Sequence, residues 1–201
     1  MADLATLKST IERQIHRSDL TTDIASAISS AIKHYQSKRF TFNQTRATFS
    51  TVAGTEFYTD LTDIAEIDAV TVTVNGRKVT LNEWGYGEME VVSTTTNTQG
   101  QPWAYSWYAE QIRLYPVPDA VYTITVSYLQ KIAEPSTDGT SNEWTTEAEE
   151  LIRHAAKKRL YRDVTLEPQM AMVAEQAEIE AYRRLMQESQ KLTTGGLRAN
   201  F

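Results

Sequence analysis

The sequence predicts an α+β protein in which N- and C-terminal helices form one helical bundle and an antiparallel β sandwich or small barrel is inserted between them. Three observations predict it. Apolar residues recur at helical spacing at both ends of the chain, they alternate with period two in the middle, and Thr, Val and Tyr become abundant where the period shortens. Helices with a single apolar face must bury it, and the least demanding solution packs the first helices on the last while the β segment loops out. On this reading residues 1–40 and 143–190 make one helical body, 41–134 an inserted β subdomain, and 191–201 an extended tail.

At the N-terminus Leu4, Leu7, Ile11 and Ile15 form one apolar stripe, and after the polar break Arg17, Ser18, Asp19 a second follows through Leu20, Ile24, Ile28, Ile32 and Tyr35. Two amphipathic helices are expected there. Beyond Phe40 the clearest unit runs from Val70 to Leu81, with Val70, Val72 and Val74 before the dipeptide Asn75-Gly76 and Val79 and Leu81 after it. Asn-Gly supplies the two positive-φ residues of a type I′ hairpin turn. With those two as the loop, Val74 faces Arg77, Val72 faces Val79 and Val70 faces Leu81, so turn chemistry and apolar alternation select the same register.

A second strand-rich block spans Trp103 to Tyr128, alternating at Trp103, Tyr105 and Trp107 and again at Tyr122, Ile124, Val126 and Tyr128. Pro116 and Pro118 place a strand end and a turn or sheet edge between its strands, since proline donates no ladder hydrogen bond. With Arg46 to Tyr58 this makes about five or six strands, enough for a small sandwich or open barrel. The turn formers from Pro135 to Asn142 close the β region.

Helices then return. Thr146 to Glu149 has the capping-box pattern, and Ala148, Leu151, Ile152, Ala155, Leu160 and Val164 continue on one side. Glu167-Pro168 stops that helix and starts a last one, expected to end near Gln190. In the tail after it, Gly195-Gly196 leaves the backbone flexible, and Leu197 and Phe201 are the apolar anchors available, expected either to reach a neighbouring subunit or another protein or to fold back on their own subunit.

Composition bounds the function. The 201 residues carry 41% hydrophobic and 23% charged side chains, ordinary globular usage. There is no cysteine, hence no disulfide or thiolate metal site. The net charge of −6 argues against a free-standing nucleic-acid binder. No apolar run reaches the ~18 residues of a bilayer helix, and the N-terminal residues lack a secretion-signal pattern, so the expected site of synthesis is the cytoplasm.

Catalytic signatures are sparse. No phosphate-binding Gly-rich loop ending in Lys-Ser/Thr, no Gly-x-Ser-x-Gly elbow and no His-Glu-x-x-His helix occurs. Gly85, Tyr86 and Gly87 read as a turn. His16, His34 and His154 fall on three different helices without ligand spacing, so neither metal nor cofactor is expected. Glu88 with Glu90, or Asp60 with Asp63, would be the carboxylate pair of a glycosidase, but charged loop residues are more often simply solvated. Arg153, Lys157, Lys158, Arg159 and Arg162 form a basic cluster on the first C-terminal helix, in a chain acidic elsewhere, notably at Asp60, Asp63, Glu66 and Asp68. Either this is a solvated helix face or basic and acidic patches meet between adjacent subunits. Trp103, Tyr105, Trp107, Tyr108 and Tyr115 suit both a sheet core and an interface.

Several segments, in the same order along nearly the whole chain, carry a resemblance. They are Lys38 to Asn43, Thr48 to Tyr58, Ile112 to Asp119, Tyr122 to Tyr128, and Asn142 to Thr145 with Ala148 to Ile152. The chain resembles the phage head-tail adaptor family, found between portal and tail in tailed bacteriophages; its first sixteen residues and the tail after Gln190 match least. The resemblance implies a structural virion protein, made in the bacterial host, forming a homo-oligomeric ring of twelve subunits beneath the portal protein. Tail or nozzle proteins follow it, and genomic DNA passes through the channel without sequence-specific binding. No catalytic or cofactor-binding residues and no membrane contact are implied. Arg153, Lys157, Lys158, Arg159, Arg162, Leu197 and Phe201 are the candidate partner-binding residues. The competing readings are a peptidoglycan-hydrolysing virion enzyme with a carboxylate pair, and a tail-tube or other assembly module.

Overall fold

The first helix begins where Asp3 accepts a hydrogen bond from the Thr6 amide at 2.8 Å, a side-chain N-cap. The structure, a computed structural model, describes residues 3–95 and 98–194. The chain divides into two compact units, residues 1–43 with 132–201, and residues 44–131.

The first unit is helical. Helix α1 (Leu4–Ile15) buries Leu7, Ile11 and Ile15, and α2 (Thr21–Tyr35) buries Ile24, Ala27, Ile28, Ala31, Ile32 and Tyr35. These stripes pack against α4 (Glu143–Thr146), α5 (Glu149–Asp163) and α6 (Pro168–Thr194) in one core. The segment rich in turn formers that precedes α4 anchors the start of α1, because the carbonyls of Thr140 and Asp138 accept from the amides of Leu4 and Ala5, at 3.1 and 2.9 Å. Two of the orphan donors in the first turn of α1 are thereby satisfied from a segment far away in sequence.

Three expectations for the C-terminal helices need correction. The capping box lies on Asn142, not Thr146. Asn142 Oδ1 accepts from the Trp144 amide at 3.1 Å, the Asn142 amide donates to Thr145 Oγ1 at 3.0 Å, and the Thr146 hydroxyl is turned back onto the Asn142 carbonyl. Asn competes well for the cap, so a short α4 precedes α5, which starts behind Ala148 with no side-chain cap. Val164 is 38% exposed instead of core, because α5 has already ended at Asp163. Helix α6 continues through Thr194, so the first residues assigned to the tail are helical; Leu197 and Phe201 lie outside the described residues.

The second unit is a sandwich of two four-stranded sheets. The first has the order β1 (Gln44–Ser50), β10 (Thr123–Gln130), β3 (Ile64–Val74), β4 (Arg77–Thr80), all antiparallel. The second has the order β2 (Phe57–Tyr58), β8 (Gln111–Tyr115), β7 (Ala104–Tyr108), β5 (Asn82–Glu83). Val70, Val72, Ile124 and Val126 from the first face Tyr105, Ile112 and Leu114 from the second across a shared core. The sheets are not purely antiparallel: β5 pairs with β7 in parallel, and so do β6 (Gln99–Gly100) and β9 (Val117–Pro118). The proline-rich stretch therefore forms an end and a short edge ladder, as the missing amides require.

The hairpin has the expected register. Val74 pairs with Arg77, Val72 with Val79, and the Leu81 amide donates to the Val70 carbonyl at 2.8 Å. Asn75 and Gly76 have φ of 49° and 75°. Val79 nevertheless stays 42% exposed, since β4 is an edge strand and its apolar face is only half covered.

Between β5 and β6 the structure has an α-helix, α3 (Tyr86–Thr95), where a turn and loop were expected. Its sequence contains β-branched and hydroxyl residues of modest helix propensity and little amphipathic signal. Tertiary contact overrides that preference: Met89 is fully buried with Ala104 and Tyr115, so α3 covers the outer face of the second sheet. The same contact explains why Ala104, Tyr105 and Ser106 are buried consecutively, although alternation at Trp103, Tyr105 and Trp107 suggested a half-exposed strand.

Replacing Asn75 and Gly76 together by valine forces two β-branched residues into the left-handed region. A Cβ at Gly76 meets no atom within 4 Å, so the penalty is backbone strain alone. The expected loss is about 2–3 kcal/mol, read by chemical denaturation of the β signal, with the helical circular dichroism retained.

Candidate interaction surfaces

The basic residues of α5 occupy successive positions around a helix, and the structure distributes them over three environments. Arg153 donates to Glu149 Oε1 at 3.0 Å and to Gln14 Oε1 at 3.2 Å, and Lys157 donates to the same Gln14 oxygen at 3.0 Å. These two cations are absorbed at the α1–α5 contact, where burial and the nearby Arg153 lower the Lys157 pKa. Lys158 points to α6 and pairs with Glu178 at 2.5 Å. Arg159 and Arg162, 51% and 61% exposed at the side chain, share the carboxylate of Asp163. The cluster seen in sequence is thus not one patch: only Arg159 and Arg162 present their charge chiefly outward.

Glu178 is the centre of a polar lock within the helical unit. It is 5% exposed, accepts from the Tyr35 hydroxyl at 2.8 Å and pairs with Lys158, so α2, α5 and α6 meet at one carboxylate. Burial first, and the adjoining carboxylate second, push the Tyr35 phenol well above its ordinary value. A groove of about 230 Å³ opens beside this lock, lined by Ser30, His34, Arg159 and Arg162 among others. His154 lies on α5 next to Arg153 and Lys157; burial, then those two cations, hold its pKa down at about 4. His16 caps the end of α1 with φ 54°, and His34 packs edge-on to Tyr35. No group of three or more His, Asp or Glu able to hold a metal occurs among the described residues.

In the β unit two of the four candidate carboxylates, Glu88 and Glu90, have structural partners, whereas Asp60 and Asp63 are exposed. Glu88 stands in the first turn of α3 and accepts from the Gly85 amide at 3.3 Å. Glu90 lies 3.1 Å from Nη1 of Arg113. The Asp63 carbonyl accepts from the Lys131 amide, with its own φ at 58°. Sequence reasoning missed Arg113, which is 5% exposed and organises this side of the sandwich. It reaches Glu56 at 3.3 Å and Ser93 Oγ at 2.6 Å, and its guanidinium lies over the rings of Phe57 and Tyr86, 5.1 and 5.8 Å from their centroids. A planar, always charged guanidinium meets two carboxylates and a hydroxyl at once, its Nη1 facing Glu90 as an ion pair without a hydrogen bond. A lone arginine in an alternating strand was the available signal: Ile112, Arg113 and Leu114 place it on the face opposite the core.

Two further surfaces stand out. A groove of about 380 Å³ runs between α1 and α2, floored by Ile28 and Ile32. At the turn joining α5 to α6, Val164, Leu166, Met170, Met172 and Val173 are 38%, 74%, 43%, 67% and 63% exposed. No helix among the described residues is long and apolar enough to cross a membrane.

Among curated proteins none matches this chain. The family model described as SU10 adaptor protein matches residues 2–199.

Two outcomes test these locks. Arg113→Ala should free α3 and leave Glu56 and Glu90 without their cation. Because both carboxylates can rehydrate, the cost is about 2 kcal/mol, measured by denaturation, with early amide exchange in residues 86–95. His154 titrates near ~6.5 when unfolded, above its folded value of about 4. The unfolded chain binds the proton first, so the stability linked to His154 is complete above that unfolded value and is lost as pH falls toward the folded one. His154→Gln should flatten the pH dependence of unfolding in this window by on the order of 2 kcal/mol.

Proposed function

The chain belongs to the SU10 adaptor protein family, and from that premise we propose that it is the subunit of a twelve-membered ring docked beneath the portal of a tailed phage. It is a phage adaptor, a structural component of the virion. In the proposed ring the central channel continues the path of the genome, and tail or nozzle proteins attach on the far side. The match over residues 2–199 carries this reading, because it covers both the helical and the β unit.

Electrostatics supports it. A conduit that holds DNA and later releases it must attract phosphate weakly, and a protein of net charge −6 meets that need. The exposed apolar side chains at the α5–α6 turn are surface of the kind an assembling subunit buries. Arg159 and Arg162 are the basic residues best placed to meet a partner, with Leu197 and Phe201 as further candidates, whereas Arg153, Lys157 and Lys158 are largely spent inside the bundle. Of the carboxylates of a hydrolase reading, Glu88 caps α3 and Glu90 neutralises Arg113, while Asp60 and Asp63 are exposed.

Mixing the purified chain with its portal and weighing the products by native mass spectrometry tests the proposal. The expected product is a portal ring carrying a full ring of this chain. Open-ended stacking without portal would replace the adaptor reading with a tail-tube module, and peptidoglycan clearing abolished by Glu90→Gln would replace it with an enzyme.

A further inference from the structure

The groove beside the Glu178 lock is built from three helices. On α2, Ser30 and His34 are four residues apart, and on α5 Lys158 and Arg162 are four apart with Arg159 beside them, so each helix turns one face to the groove. Glu178 of α6 lines it as well and is 5% exposed. The recess measures about 230 Å³, below the ~300 Å³ at which pockets for small molecules begin, so it has room for one side chain and not for a nucleotide or cofactor.

Donors crowd this recess, and its acceptors are already engaged. The Glu178 carboxylate is taken by the Tyr35 hydroxyl and by Lys158. Arg162 is closed on Asp163 through two hydrogen bonds, at 2.7 and 3.0 Å. Arg159 is different: among the described residues the one carboxylate within ion-pair range of it is the same Asp163, at 3.8 Å, beyond hydrogen-bond reach. With Lys158 matched by Glu178 and Arg162 by Asp163, the charge of Arg159 is the one left over in the groove. From the α2 side, Ser30 offers a hydroxyl and His34 an imidazole. A carboxylate entering there meets a planar guanidinium fork and neutral donors without displacing an existing bond.

A DNA strand is a poorer match. The adjoining recess, which shares Arg159, is lined by Asp23 and Asp163. A run of backbone phosphates passing Arg159 meets both of those carboxylates, whereas a single carboxylate seated beside Ser30 and His34 avoids them. At a net charge of −6, copies of this chain also repel one another, which favours a different protein as the source.

We infer that the groove between α2 and α5 is a recognition site for one aspartate or glutamate side chain of a partner protein, with Arg159 as its principal cation and Ser30 and His34 as supporting donors. The assignment rests on the reading of Arg159 as partner-facing and gives that residue a ligand chemistry; it does not depend on the ring count.

The test uses the full chain labelled with nitrogen-15 and a short blocked peptide carrying one glutamate among alanines and glycines. The amide signals of Ser30, His34 and Arg159 should shift together on titration, and the glutamine version of the peptide should leave them in place. Arg159→Gln should weaken binding about tenfold with an unchanged melting temperature, because its side chain is half exposed. Arg77→Gln, which removes an exposed charge on β4, should leave binding unchanged. Equal losses in the two variants, or no shift up to tens of millimolar peptide, reduce the groove to a solvated helix face and overturn the inference. Stronger Arg159-dependent shifts with a short DNA duplex than with the peptide assign the groove to phosphate and overturn it. Self-association of the chain alone that Arg159→Gln abolishes assigns the groove to a second copy and overturns the partner. Native mass spectrometry with portal separates this result from the adaptor reading: peptide binding without a portal complex keeps the site and overturns the ring, and a full ring without peptide binding does the reverse.

Discussion

Everything in this protein depends on closing the chain at the two points where it leaves and re-enters the helical unit. Residues 44–131 form a separate unit, so the segments ending at Asn43 and beginning at Ile132 must be held against an entropy that costs about 4 kcal/mol beyond a constant for a loop of that length. An aromatic cluster and a set of directional hydrogen bonds hold them. Phe40 and Phe42 stack on each other, and both meet the fully buried Trp144 edge-on, at 6.1 and 5.3 Å. The Trp144 indole and the Gln36 amide both donate to the Ile132 carbonyl, at 3.0 and 2.9 Å. Asn43 accepts from the Phe40 amide and donates to the Lys38 carbonyl, both at 2.8 Å. Tyr182 of α6 packs on Phe40 from another side. Large aromatic burial supplies the attraction, and the hydrogen bonds fix which carbonyl and which amide meet.

Each unit also has a buried ionic lock that serves placement more than net stability. Lys158, Glu178 and Tyr35 join three helices, while Arg113 joins β8 to α3 and to Glu56. Replacing such a group by hydrocarbon of equal volume is often neutral, but removing one partner leaves a charge stranded. What these locks contribute is therefore discrimination: a shifted α3 or a rotated α6 would bury a guanidinium or a carboxylate alone. This explains how a helix of poor intrinsic propensity, Tyr86–Thr95, is held in one position.

The legible parts of the sequence are those encoded twice. The Val70 to Leu81 hairpin is specified both by Asn75-Gly76 and by alternation, and its register follows. The stripes of α1 and α2 are uninterrupted, so their faces could be read directly. Helix α3 was hidden because the signal that makes it helical lies in Met89 meeting Ala104 and Arg113 meeting Glu90, contacts that no local window contains. The basic residues of α5 looked like a patch because spacing on one helix does not reveal that Gln14 on α1 and Glu178 on α6 take up three of them. The exposed apolar turn went unread for a related reason: Val164 continues the stripe of α5 in sequence, and only the end of the helix at Asp163 turns it outward.

An adaptor subunit faces opposing demands, and the distribution of apolar surface reconciles them. It must fold and remain dispersed before assembly, yet hold firmly once its partners are in place. Both cores are closed inside their own units, so folding does not wait for a neighbour. Among the described residues of the helical unit, the large apolar side chains left exposed lie around the α5–α6 turn, and their surface is small enough that one contact made by it alone would bind weakly. Closure changes the balance. In the proposed ring, a subunit held by a portal would receive its neighbour at high effective concentration, and the final contact would form within one assembly at no further cost in translational freedom. A modest patch therefore suits an adaptor where a large one does not, since it favours assembly on a template over assembly in free solution.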